Sequence, residues 1–389
     1  MNSSANEELE RAIQELRRSG IDAALLSSVA NVTYVSGFEV PFPIGAGAEI
    51  AYGVSLALFD CRGGGSALIV SASNVAAAKA HSRLEEIYTF DTFDTFNALD
   101  SRQSFLQRIR EALHAAGLQN GAATLGIEAR TLPYAVVELL TITFPNLTLR
   151  DVDIPLQQAR LIKTEREISL LRRAAQVADI GHQTLADLCR TAGKNEFEMW
   201  SEITSRMFRA VGHEIPVVGE LVTGPRTCVV NYPGGPRDRV TQAGDGALMD
   251  ISQRIDGYWS DCTNTHVIGA EPTAHQRRFA KASQDACEAA MDTLRIGKRA
   301  SDVAKAAEAA FQKHGMPMAH YTGHQIGVTV NELPRLVHYD DTPIEAGMVF
   351  SVEPGAYEGP EGTFGARSEK IVLVTPSGPE ILSTFAWGI

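Results

Sequence analysis

The segment GALMDISQR-IDG-YWSDCTNTHVIG, residues 246–269, constrains the fold of this chain more tightly than any other. Two strand-like runs flank Asp256-Gly257, a dipeptide that accepts positive φ and closes two-residue hairpins. A turn at 256–257 sets Asp250 opposite Thr263 and Asp261 opposite Ser252. The two aspartates then become diagonal neighbours on one face, within about 7–8 Å of each other. Asp250 is bracketed by Met249 and Ile251, so the strand is at least half buried. Two ionised carboxylates in that setting repel and require protonation, a cation or solvent.

The same pattern comes twice. RLIKTEREISLLRRAAQVADIG opens with a T-x-x-E capping box, Thr164 and Glu167, which satisfies orphan N–H groups at a helix start. A second helix is expected over 195–211, with Phe197, Trp200, Met207 and Val211 inward, before the first hairpin. Helices at about 273–296 and 301–314 then precede MVFSVEP and GARSEKIVLVT, two further strands. Helix, helix and acid-bearing hairpin, repeated, predicts an internally duplicated α+β domain. Upstream, Leu9, Ala12, Ile13 and Leu16 mark an amphipathic helix, and IDAALLSS, VSLALFD and GSALIVS read as strands with helices between them. That order predicts an α/β N-terminal domain.

In the second hairpin Glu353 ends one strand and Glu369 lies in the other, with His324 in the stretch TGHQIG before them. Four carboxylates and one imidazole make a mostly oxygen donor set, which suits Mn²⁺, with Co²⁺, Fe²⁺ and Zn²⁺ as alternatives. Two such ions about 3.5–4 Å apart would generate the nucleophile of metal-assisted hydrolysis. Each residue alone has an ordinary structural explanation: a strand-end acid, or a histidine packed between glycines. Their joint order decides for a site.

The net charge of −12 excludes a surface built to neutralise nucleic-acid phosphates. No apolar run reaches the roughly 20 residues that span a bilayer. The five cysteines, Cys61, Cys189, Cys228, Cys262 and Cys287, form no CxxC pair. A cytoplasmic compartment and a chain without membrane contacts are therefore expected.

The motifs D-x₁₀-D, G-H-x-I-G, E-P-G and R-x-E, in that order, resemble the pita-bread metallopeptidase family of aminopeptidase P, prolidase, methionine aminopeptidase and the metal-free creatinase. IDAALLSSVANVTYVSGF resembles the N-terminal domain of the two-domain members. The resemblance implies a creatinase-like α/β domain over residues 1–157 and a pita-bread catalytic domain over 158–389. It implies two divalent metals held by Asp250, Asp261, His324, Glu353 and Glu369, with Asp261 and Glu369 bridging. Glu353 would also shuttle the proton to the leaving nitrogen. His320 would face the substrate, and Arg367 would orient Glu369 or neutralise local charge. It further implies a homodimer in which the partner's N-terminal domain walls the active site; the apolar stretch 38–54 is a candidate wall or lid.

Three positions depart from the pattern. Asn231 and Asn331 stand where peptidase members carry histidines that contact substrate, and Asn264 stands where an arginine is usual. Asparagine still donates and accepts hydrogen bonds but cannot titrate near neutral pH. Cleavage of Xaa-Pro peptides, or of a small non-peptide amide, is thus the first functional class. A creatinase-like or lyase-type reaction on a small nitrogenous compound is the second, and a silent binding protein the third. The five intact ligands favour the first.

Overall fold

The fold comes from a computed structural model that describes residues 6–44, 50–230 and 234–389. Contacts divide the chain into two compact units, Met1–Arg160 and Leu161–Ile389.

In the first unit the described elements are α1 (Glu7–Arg18), β1 (Ala23–Leu26), α2 (Val29–Ser36), β2 (Leu56–Asp60), β3 (Ser66–Ser71), α3 (Val75–His81), β4 (Glu86–Phe90), α4 (Ser101–Ala115), β5 (Ala123–Ile127), α5 (Tyr134–Thr143), β6 (Leu147–Asp151) and α6 (Asp153–Ala159). The strands form one mixed sheet in the order β4-β3-β2-β1-β5-β6. Its inner strand AALL is buried at every residue, which explains a continuous apolar run in place of alternation. α1 buries Ala12 and Leu16, as its periodicity predicts, and its N-cap Asn6 accepts from the Leu9 N–H. α6 spans the 157/158 boundary expected from sequence, and the contacts divide the chain after Arg160. Residues 45–49 of the proposed wall or lid lie outside the described residues.

The second unit opens with α7 (Glu165–Leu188), α8 (Glu196–Val211), β7 (Val217–Thr223), β8 (Gly246–Ile255), β9 (Tyr258–Trp259) and β10 (Cys262–Val267). It continues with α9 (Ala274–Thr293), α10 (Ala300–Lys313), β11 (Gly323–Gln325), β12 (Glu332–Arg335), β13 (Val349–Val352), β14 (Gly355–Tyr357), β15 (Gly365–Arg367), β16 (Lys370–Thr375) and β17 (Gly378–Ile381). The first helix pair precedes the sheet β10-β8-β7, and the second precedes the sheet β12-β11-β13-β16-β17. The capping box of Thr164 and Glu167 is present, and two more, Asn195 with Glu198 and Thr273 with Gln276, start α8 and α9. At the first hairpin Asp256 takes φ 50° and Gly257 φ 89°, the positive pair that a two-residue turn demands.

Two expectations change. Phe197 is 52% exposed, because the inward face of α8 is set by Met199, Ile203 and Met207 at four-residue spacing. GARSEKIVLVT is not one strand: it breaks at Ser368–Glu369 into β15 and β16, and its partner breaks at Glu353–Pro354 into β13 and β14. Val352 pairs with Lys370 and Gly355 with Arg367, so the two breaks face each other. Pro354 has no N–H to give to a ladder, which suits an interruption there.

Candidate metal centre

The two sheets deliver their acids to one place. Thr263 pairs with Asp250 across β8 and β10, the register expected from the turn. Ser252 donates to Asp261 Oδ1 at 2.7 Å. Ligand atoms of Asp250, Asp261 and Glu369 all lie within 4.8 Å of one another. From the second sheet His324 Nε2 comes to 3.4 Å from Asp261 Oδ2 and 3.3 Å from Glu353 Oε1. The five residues named from the sequence therefore form one continuous cluster. All are buried except Asp250, whose side chain keeps 21% exposure.

Backbone spacing makes this approach feasible at two glycines. Gly219 on β7 and Gly323 on β11 have φ of 146° and 156°. A Cβ at either would sit 2.1 Å from a carbonyl oxygen across the ladder, that of Asp250 or that of Ser351. Only glycine allows the strands this close.

The cluster carries more negative charge than its surroundings neutralise. Burial, and then the charge of Asp261, raises the carboxyls of Asp250 and Glu369 well above the usual range. Burial alone would lower His324; the hydrogen bonds and charges of Asp261 and Glu353 override it and push the imidazole up to about 10. Burial would likewise raise Glu353, but the His324 hydrogen bond and charge hold it low. Protons thus stand in for positive charge. Among the described residues, Asp250 Oδ1 and Glu369 Oε1 are buried with no hydrogen-bond partner. Their other oxygens are occupied: Arg367 Nη2 donates to Asp250 Oδ2 at 2.6 Å, and the Thr263 hydroxyl donates to Glu369 Oε2 at 2.6 Å. Two orphaned carboxyl oxygens in one cluster match the donor set of a divalent-cation site.

Arg367 is 4% exposed and fully engaged. Its Nε donates to Thr263, its Nη1 to the Tyr357 hydroxyl at 3.2 Å, and its Nη2 to Glu220 as well as Asp250. Of the four cluster carboxylates it hydrogen-bonds Asp250, not Glu369. His320 reaches the same network through the Tyr357 hydroxyl at 3.4 Å, and burial lowers its imidazole. A cavity of about 490 Å³ opens over the cluster, lined by Asp250, Asp261, His324 and Glu353 with His320, Tyr321, Asn331 and Glu220. A larger cavity of about 630 Å³ beside Tyr357 holds none of the five. Asn331 is exposed at the rim, and its Oδ1 accepts from Arg335 Nε at 3.2 Å. Asn231 lies outside the described residues, although its neighbour Val230 lines the cavity.

Asn264 points elsewhere than a site residue would. Its amide donates to the Ala386 carbonyl and accepts from the Gly388 N–H, fastening that segment to β10. The sequence reading missed Glu220, Thr263 and Tyr357. Glu220 carried a readable signal, an acid inside the apolar strand VVGELVT, the same signal that marked Asp250.

Comparisons with known proteins place the chain in a family. The family described as "Metallopeptidase family M24" matches residues 169–376, and "Creatinase/Prolidase N-terminal domain" matches residues 8–162. An Xaa-Pro dipeptidase of Pyrococcus horikoshii is 27% identical over 383 residues, covering 97% of each chain. One from Pyrococcus furiosus is 28% identical over 379 residues, again 97% of each. The crystal structure of the prolidase from Pyrococcus horikoshii OT3 superposes with a TM-score of 0.79 at 25% identity, over 98% of this chain and 99% of that one. The two-domain arrangement, with a creatinase-like N-terminal domain and a pita-bread C-terminal domain, is shared with it.

Proposed function

The chain belongs to metallopeptidase family M24, and from that premise we propose that it is a dinuclear-metal hydrolase of short peptides, Xaa-Pro dipeptides foremost. The observation that carries the reading is the convergence of Asp250, Asp261, His324, Glu353 and Glu369 in one cluster, four of them lining the cavity above it, with two orphaned carboxyl oxygens in the cluster. These five residues would hold two divalent cations, with Mn²⁺ as the first to test, inside a catalytic domain of residues 158–389. When bound, the cations acidify water and polarise an amide carbonyl.

The chain's own residues supply the rest. Glu353 stands at the cavity with its carboxylate held ionised by His324, placed to take a proton and return it to the leaving nitrogen. Ser252 and Thr263 fix one oxygen each of Asp261 and Glu369, which leaves the second oxygen directed inward. His320, at the cavity wall, contacts the substrate side of the scissile bond. Asn331, with its oxygen held by Arg335, keeps its amide N–H to donate to a substrate carbonyl. A homodimer in a reducing compartment completes the proposal.

Metal analysis of the purified protein, before and after EDTA and with Mn²⁺ restored, tests the centre. A panel pairing Xaa-Pro dipeptides with small cyclic and N-substituted amides tests the substrate. Failure to bind any divalent metal would end this reading. Cleavage of the small amides alone would retain the centre and replace the substrate class, as expected if Asn231 and Asn331 shaped the pocket for a different ligand.

A further inference from the structure

We infer that Glu220 is a positioning residue of the metal centre: it holds Arg367 Nη2 so that Asp250 turns its free oxygen, Oδ1, toward Asp261 and Glu369. The inference rests on the metal reading above and adds to it a residue outside the five ligands.

The internal duplication gives Glu220 a counterpart in the second half. On β7 Gly219 pairs with Ile251 and Glu220 with Asp250. On β11 Gly323 pairs with Val352 and His324 with Ser351. Both glycines have positive φ, and at both an added Cβ would fall 2.1 Å from the carbonyl oxygen of the residue opposite their successor. Glu220 therefore occupies in the first half the place that His324 occupies in the second. His324 faces Asp261 and Glu353; Glu220 faces a guanidinium.

That guanidinium is shared between two carboxylates. Nη2 lies 2.6 Å from Glu220 Oε2 and 2.6 Å from Asp250 Oδ2. An Nη2 group has two hydrogens in the guanidinium plane, so one goes to each carboxylate. Glu220 thereby fixes the rotation that aims the other hydrogen at Asp250. Asp250 Oδ2 is thus engaged, and Oδ1 is the oxygen left without a partner. Glu220 and Arg367 are each 4% exposed, and Glu220 lines the same cavity as Asp250 and Asp261.

A buried ion pair is weak evidence for stability, and hydrophobic replacement is often neutral. Here its removal has a local electrostatic consequence. Without Glu220, the Arg367 charge would fall on Asp250 alone and oppose a cation there. With Glu220 present, one carboxylate is matched to the guanidinium and Asp250 keeps its charge for the metal.

Glu220→Gln keeps the shape and an acceptor oxygen and removes the charge. Mn²⁺ titration by calorimetry and metal content after dialysis should show one of two positions weakened by about 10–100-fold, the other nearly unchanged. The circular dichroism of the full chain should match wild type. In an Arg367→Met background the same Glu220→Gln step should change affinity little, because the residue acts through Arg367; a merely structural role would give the same loss in both backgrounds. Glu220→Asp, which restores the charge, should recover part of the affinity, and it serves as the second variant if Glu220→Gln does not fold. Wild-type affinity at both positions in Glu220→Gln, or equal losses in the two backgrounds, overturns the inference and leaves the metal reading standing. A wild-type protein that binds no metal overturns both.

Discussion

Gly323→Ala would separate two strands whose spacing sets the site. A Cβ at position 323 would lie 2.1 Å from the Ser351 carbonyl oxygen, whereas real Cβ atoms essentially never come within 3.0 Å of such an atom. β11 and β13 must therefore part by about 0.9 Å, the difference between those two distances. His324 follows Gly323 directly, and Glu353 follows Val352, the residue paired with Gly323. The two ligands now stand 3.3 Å apart, Nε2 to Oε1, and would move with their strands. Metal–ligand bonds tolerate about 0.2 Å, so the shift is several times what the shell absorbs. Metal affinity at the position held by His324 and Glu353 should fall at least about 10-fold. Turnover should fall about 100-fold, the cost of a misplacement near 1 Å. Fold stability should drop by only about 1–3 kcal/mol, typical of overpacking, so the protein stays folded for measurement. Mn²⁺ calorimetry, with circular dichroism as the folding control, reads all but the turnover. Wild-type stoichiometry and affinity in Gly323→Ala would refute the argument that strand spacing places the ligands.

Three further outcomes are expected. His182, packed on Phe385 with ring centroids 4.0 Å apart, is held neutral by burial and lies at about 3, down from 6.5. Between those values the unfolded chain binds the extra proton, so stability falls as pH falls, by about 2 kcal/mol per such group at pH 5. His182→Gln keeps a donor for the Cys262 carbonyl and should remove that part of the slope in urea unfolding at pH 7.5 and 5; parallel slopes would contradict it. The three tryptophans, Trp200, Trp259 and Trp387, all lie in the second unit, so their fluorescence reports the relevant transition. Asp250 and Glu369 have the opposite sign. Their raised values stabilise the metal-free fold fully below the ordinary carboxylate range, and this is lost as pH rises. Mn²⁺ should abolish that slope and release protons on binding, seen as a heat that varies with the buffer's ionisation enthalpy; a buffer-independent heat would count against it. Asn331→His should raise Xaa-Pro cleavage by about 10-fold if the asparagine only tunes a peptidase, and no gain would point to a pocket built for another amide.

Much of this protein is legible in its residues because its motifs are local. The Asp256-Gly257 turn fixes the register of β8 and β10, and the register alone puts Asp250 opposite Thr263. The capping box at Thr164 and Glu167 marks a helix start from four consecutive residues. Phe197 misleads for a local reason too: it sits in the first turn of α8, where an apolar side chain can match the helical period and still lie off the packed face. The strand end at Glu353 was legible, but the break at Ser368–Glu369 was not, since GARSEKIVLVT keeps strand-like patterning through the interruption.

By itself the sequence determined which residues are available: the ordered acids and histidine, the turn-forming Asp256-Gly257 pair, and the repeated helix–helix–hairpin plan. Those follow from bonding and periodicity within a few residues. Tertiary structure alone decided which oxygens are engaged and which are free. Arg367 lies 117 residues from Asp250 and 147 from Glu220, so no spacing could reveal that one nitrogen joins the three. Its pairing with Asp250, and not with Glu369, depends on two sheets meeting and on burial that makes each uncompensated charge costly.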